Sequence, residues 1–234
     1  MKQLSGDRVL AKLFLVLAVA SPCSRTGAQK ARGQEAARAA ASGHLRVFET
    51  AEHSPEPVPP YVYSFSIGGD QFTVRGYGEV TKSSPGSPDR TFKLSMDKES
   101  GIEHLYYLED GDSLFFIYEM SDGESGWGNA AGFDRATLRP LWRVHIPGFN
   151  VGDALVEANF VYLTAIGFVA KLNLRTGKYA WKHEGLYERN GAFNDFDLPR
   201  LEGDKVLFRG AGYYGKEPRT IIVHKRSGKI LGYR

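Results

Sequence analysis

From Tyr61 onward the chain alternates apolar and polar positions in short runs, cut repeatedly by Gly, Asp, Asn and Pro. Residues 61–67 (YVYSFSI), 71–79 and 90–96 are runs of this kind, and Gly68-Gly69-Asp70 reads as a hairpin turn between the first two. A period of two with glycine-rich punctuation is the pattern of half-buried strands. No run of ten or more residues carries a 3.6-residue period. The predicted fold class is therefore all-β.

Upstream of Tyr61 the pattern is different. Residues 29–44 are polar, charged and alanine-rich, and His53 to Pro60 is a proline-rich connector. Prolines fix φ and remove backbone donors, so 29–60 reads as a flexible tether, with 45–50 (LRVFET) as a candidate strand. Residues 1–28 read as an export signal: Lys2, Arg8 and Lys12 precede the apolar run Leu13 to Ala20, and Ala18-Val19-Ala20 and Thr26-Gly27-Ala28 are candidate cleavage sites. That run is too short to span a bilayer. No other apolar stretch reaches 18 residues, so no transmembrane segment is expected.

The signal changes the charge argument. Removing it takes 30 basic and 27 acidic residues to 26 of each. A neutral body has no general attraction for nucleic acid, and none is expected as a partner. The only cysteine, Cys23, lies in the signal region, which excludes an intrachain disulfide. A lipid anchor at Cys23 would need a small, flexible neighbour where Pro22 stands, so the anchor is disfavoured. The expected location is periplasmic or secreted.

The most specific feature is an internal repeat. Thr137-Leu138-Arg139-Pro140-Leu141-Trp142 aligns with Thr176-Gly177-Lys178-Tyr179-Ala180-Trp181, and again with Ser227-Gly228-Lys229-Ile230-Leu231-Gly232. Asp134, Asn173 and His224 stand three residues before the respective Thr or Ser. Two candidate strands precede each copy: 104–109 with 113–119, 154–157 with 159–165, and 199–202 with 205–209. Each unit therefore offers about four strands. Gly suits the left-handed position of a tight turn, and Asp or Asn can accept hydrogen bonds from that turn. A Trp at the end of the motif is large enough to fill the wedge between neighbouring sheets.

These residues resemble the quinoprotein-like (PQQ-like, tryptophan-docking) β-propeller repeat over 104–234. Lys171 to Trp181 is the best copy; Leu138 replaces Gly in the first copy and Gly232 replaces Trp in the third. The resemblance implies a small or partial β-propeller of about 3–4 four-stranded blades, occupying 61–234 and clearest in 104–234. The fourth sheet would come from 45–50, 61–67, 71–79 and 90–96. A closed four-bladed ring and an incomplete propeller completed by a homodimer both fit that count.

The same family includes quinone dehydrogenases that close about eight blades and hold their cofactor near paired cysteines with calcium. A chain without a mature cysteine pair is not expected to use PQQ. Calcium has oxygen donors in Asn190, Asn194, Asp195 and Asp197, and in Asp122 with Glu124, but no regular calcium-loop spacing. His104, His145, His183 and His224 lack ligand-like spacing, and neither a nucleophile elbow nor a reactive thiol is visible. No cofactor, metal site or catalytic residue is expected.

In a four-stranded meander, the loop between the second and third strands shares a face with the link to the next blade. Here those segments are 120–130, 146–153, 166–167, 184–198 and 210–217. They carry Trp127, Phe149, Tyr187, Phe193, Phe196, Tyr213 and Tyr214, whereas the opposite turns, such as 109–112 and 175–178, are short and polar. The long-loop face is the candidate binding face. It would serve a non-catalytic binding or scaffold module taking a protein partner or a small ligand. The alternative is a degenerate enzyme-type domain acting on a carbohydrate or small metabolite.

Overall fold

The structure is a computed structural model that describes residues 45–54, 61–95, 100–186, 195–210 and 218–234. The expected signal at 1–28, and the tether up to residue 44, lie outside these residues.

The described chain begins with three very short strands, β1 (Leu45–Val47), β2 (Glu49–Thr50) and β3 (Glu52–His53). Four antiparallel meanders follow. Blade I is β4 (Tyr63–Ile67), β5 (Asp70–Arg75), β6 (Glu79–Ser83) and β7 (Arg90–Lys93). Blade II is β8 (Gly101–Asp110), β9 (Ser113–Ser121), β10 (Gly126–Asp134) and β11 (Pro140–Ile146). Blade III is β12 (Leu155–Glu157), β13 (Phe160–Ala165), β14 (Phe168–Asn173) and β15 (Lys178–His183). Blade IV is β16 (Arg200–Glu202), β17 (Lys205–Gly210), β18 (Arg219–His224) and β19 (Ile230–Tyr233).

Strands alternate their side chains between two faces, and each inner blade buries both faces. On β9, Leu114, Phe116, Tyr118 and Met120 pack towards blade I, while Phe115 and Ile117 pack towards blade III. Three cores result. One joins blades I and II, a second joins II and III, and a third, around Tyr162, Trp181, Phe208 and Val223, joins III and IV. Among the described residues no core joins blade IV back to blade I. The described residues thus form an all-β partial propeller of four blades.

The first nine described residues make the axis. β1 pairs with β12 of blade III, β2 with β8 of blade II, and β3 with β4 of blade I, in each case the innermost strand of that blade. The N–H of Phe48 donates to Ala154 O (3.2 Å), that of Ala51 to Leu105 O (2.9 Å) and that of Ser54 to Val62 O (2.8 Å). Every third residue therefore hands a donor to the next blade. Phe48 enters the II/III core and Ala51 the I/II core. The stretch 45–50, read from the sequence as a strand within a tether, is part of this axial segment. It pairs with blades III and II, and residues 52–53 add the fifth strand to blade I.

Blade I also divides differently from the expectation. The run 71–79 is two strands, because Gly76 and Gly78 adopt left-handed φ (50° and 85°) and Gly78 N–H donates to Arg75 O, closing a hairpin. The free side of this blade is polar. Ser64, Thr73, Thr81 and Thr91 stand in cross-strand register, flanked by Ser66, Gln71 and Ser83. On blade IV the side away from blade III carries exposed Arg200, Glu202, Lys205 and Arg209 around Leu207 and Ile222.

Candidate functional site

The repeated turns come first, because they set the blades. In the turn after β10, Asp134 accepts from both the N–H and the hydroxyl of Thr137 at 2.6 Å. These bonds hold its carboxyl below the usual carboxylate range. Asn173 accepts from Arg175 and Thr176 N–H (2.9 and 3.1 Å), and His224 Nδ1 accepts from Ser227 N–H (3.2 Å). A further bond closes each turn, onto Asp134 O from Leu138, onto Asn173 O from Gly177 and onto His224 O from Gly228, at 2.8–2.9 Å. All three closing residues have positive φ: 59° at Leu138, 65° at Gly177 and 74° at Gly228.

The indoles of Trp142 and Trp181 each lie on the turn of the following blade. Trp142 Nε1 donates to Leu174 O (2.7 Å), and its ring sits where a Cβ on Gly177 would be, 2.7 Å away. Trp181 Nε1 donates to Lys225 O (3.0 Å), and its ring lies 2.5 Å from a Cβ on Gly228. A bulge in the outer strand, at Leu141, Ala180 and Leu231, precedes the Trp position in blades II, III and IV and re-aims it.

On the long-loop face, β9 and β10 run further than the sequence suggested. The segment 120–130 is a four-residue loop, 122–125, between strands. Asp122 shapes it, accepting from Glu124 and Ser125 N–H at 2.9 and 2.7 Å. Trp127 is consequently a strand residue, half-buried against the I/II core. Phe196 is 2% exposed and fills the III/IV core, tied by a bridge to Gly210, instead of meeting solvent. Tyr187, Phe193, Tyr213 and Tyr214 lie outside the described residues.

Phe149 is 45% exposed, on the link from blade II to blade III. Its backbone is held on both sides. Gly148 O accepts from Gly128 N–H and Phe149 O from Ile166 N–H, both at 2.8 Å. Asn150 adopts a left-handed φ of 53°, and Val151 N–H donates to Glu119 Oε2 at 3.2 Å. Gly148, with φ 97°, has no room for a Cβ, which would meet Ile166 O at 2.8 Å.

Glu119 was not anticipated from the sequence. It stands among the apolar residues of β9, buried beneath this link, with His104 opposite in cross-strand register. Desolvation raises its pKa above the ordinary carboxylate value, and His104 and the Val151 N–H partly offset that. The one signal available was a lone acid inside the run Leu114 to Met120.

Among the described residues, no three His, Cys, Asp or Glu side chains come together as a metal site, and no helix is long and apolar enough to cross a membrane. Asn190 and Asn194 lie outside them, and Asp122 is engaged with its own loop.

No family model and no curated protein matches the chain. Among solved structures it is similar to BamB from Moraxella catarrhalis, with 16% identity and a TM-score of 0.47, covering 80% of this chain and 52% of that one. It is also similar to the computationally designed Ika8 protein, with 15% identity and a TM-score of 0.45, covering 74% of this chain and 49% of that one. A third is the quinohemoprotein alcohol dehydrogenase ADHIIG from Pseudomonas putida HK5, with 11% identity and a TM-score of 0.47, covering 74% and 34%. The chain spans about half the length of the first two and a third of the last.

Proposed function

We propose that this protein is an exported, non-catalytic binding module whose long-loop face anchors a protein partner through Phe149. The observation that carries the reading is an exposed phenylalanine on a backbone fixed at four successive positions, 148 to 151. A large exposed ring on a backbone already fixed has less to lose on binding, which is how preorganised aromatic anchors act at interfaces. The export part rests on residues 1–28 alone.

The reading is tested by placing a photo-crosslinking residue at position 149, and separately at Leu141. Leu141 is 52% exposed and lies towards the turn face of the blades. Illumination in the source organism should trap one discrete partner from position 149 and none from 141. Equal trapping at both sites, or none at 149, would overturn it.

A further inference from the structure

Blade II turns a second set of side chains towards blade I, close to the long-loop end. Tyr118, Asn129 and His145 stand in cross-strand register on β9, β10 and β11, and Arg143 lies two residues before His145 on the same face. With Leu94, Ser95 and Val144 they line a cavity of about 290 Å³ at the I/II seam. Its volume is at the small end of ligand pockets.

Several donors line the cavity, most of them engaged with backbone carbonyls. Arg143 spends Nε on Leu94 O (3.1 Å) and one terminal nitrogen on Lys93 O (2.8 Å), which fixes the guanidinium plane and, among the described residues, leaves Nη1 over. Tyr118 keeps its proton, since burial pushes its pKa up to about 12, and it donates to Leu94 O at 2.9 Å. The amide nitrogen of Asn129 is buried with no acceptor. A buried donor left unpaired costs free energy, and exchanging the nitrogen and oxygen of the Asn129 amide, which share one planar group, is the rearrangement by which a ligand in the cavity would satisfy it. No acidic side chain lines the cavity among the described residues.

We propose that this cavity binds a small organic carboxylate, one oxygen taking the Arg143 guanidinium and the other the Asn129 amide, with His145 beside them. A single fixed cation with a planar neutral donor suits a flat monoanion better than a phosphate. The site is separate from Phe149, which belongs to the blade II to blade III link.

The test titrates the full chain with benzoate, benzamide and inorganic phosphate, following the Asn129 side-chain amide and the His145 ring by NMR. Benzoate should shift both signals saturably, with a dissociation constant on the order of 1 mM or tighter, and benzamide should not. Asn129→Asp, which keeps the shape and adds a like charge, should weaken benzoate binding by at least about tenfold. Asn129→Ala serves the same purpose should the aspartate variant fail to fold. Phe149→Ser should bind benzoate as wild type does, so loss of the partner site and loss of this site are distinguishable. Benzamide binding equal to benzoate, phosphate binding tighter than benzoate, no shift with any probe, or undiminished binding by both Asn129 variants would overturn the proposal.

Discussion

The seam between blades I and II and the seam between blades III and IV use the same turn and fill it differently. At III/IV the turn closes on Gly228, and the Trp181 indole lies on it. At I/II the turn closes on Leu138, whose side chain is buried in the core, and the seam's indole, Trp127, stands at the opposite end of β10, away from the turn. Arg90 reaches the turn instead, donating to Ala136 O (2.6 Å) and Thr137 O (2.8 Å). Leucine in a left-handed conformation costs about 1–2 kcal/mol, an expense a glycine would avoid, but here the side chain occupies space that an indole takes elsewhere. The repeat is therefore a property of pairs of blades. A Trp in one blade requires a Gly in the next, and where the Trp is missing the Gly is free to change. Gly232 stands at the Trp position of blade IV, so that blade's outer strand presents no ring.

The sharpest way to break this comparison is Trp181→Ala. It should lower stability by about 3–5 kcal/mol in urea unfolding, as large core truncations do. A melt like that of wild type would remove the indole from the account. A double-variant cycle is the next step. Gly177→Leu alone puts a side chain into the Trp142 ring, and Trp142→Ala alone opens a void. Together they rebuild at II/III the arrangement that Leu138 shows at I/II. The pair should be less damaging than the sum of the singles by about 1–3 kcal/mol, and strict additivity would contradict the pairing rule. Arg90→Met should cost about 1 kcal/mol, confined to the first seam, because it frees two carbonyls without opening a core.

The smallest effect concerns Glu119. A raised native pKa means the folded state binds its proton more tightly than the unfolded chain. That contribution is complete below the unfolded value of about 4.5 and is lost as pH rises through the native value. Glu119→Gln should therefore flatten the part of the stability profile that falls as pH rises above about 4.5. An unchanged profile would show that the buried carboxyl does not report on this link.

The repeat was legible because its chemistry is local: Asp134, Asn173 and their turn partners lie within a few residues of one another. Leu138 looked like decay of the motif, since its justification, the lack of a Trp in blade I, lies in the preceding sheet. The axial segment was harder to read. It pairs two or three residues at a time and advances by three, so Phe48, Ala51 and Ser54 show neither the strand period nor the helix period. The 71–79 run hid a hairpin because Gly-Tyr-Gly interrupts an otherwise continuous alternation. Trp127 and Phe196 were placed by residue type in segments read as loops. Strand extension holds the first against a seam, and an isolated bridge to Gly210 holds the second in a core.

Among the described residues blades I and IV each turn exposed polar side chains outward, and a second copy is expected to find no docking seam there. The mass of the mature protein in solution, measured by light scattering across micromolar concentrations, tests this directly. One chain per particle throughout is the expected result. A stable two-chain particle, with the Ser64–Thr73–Thr81–Thr91 row protected from hydrogen exchange, would contradict it.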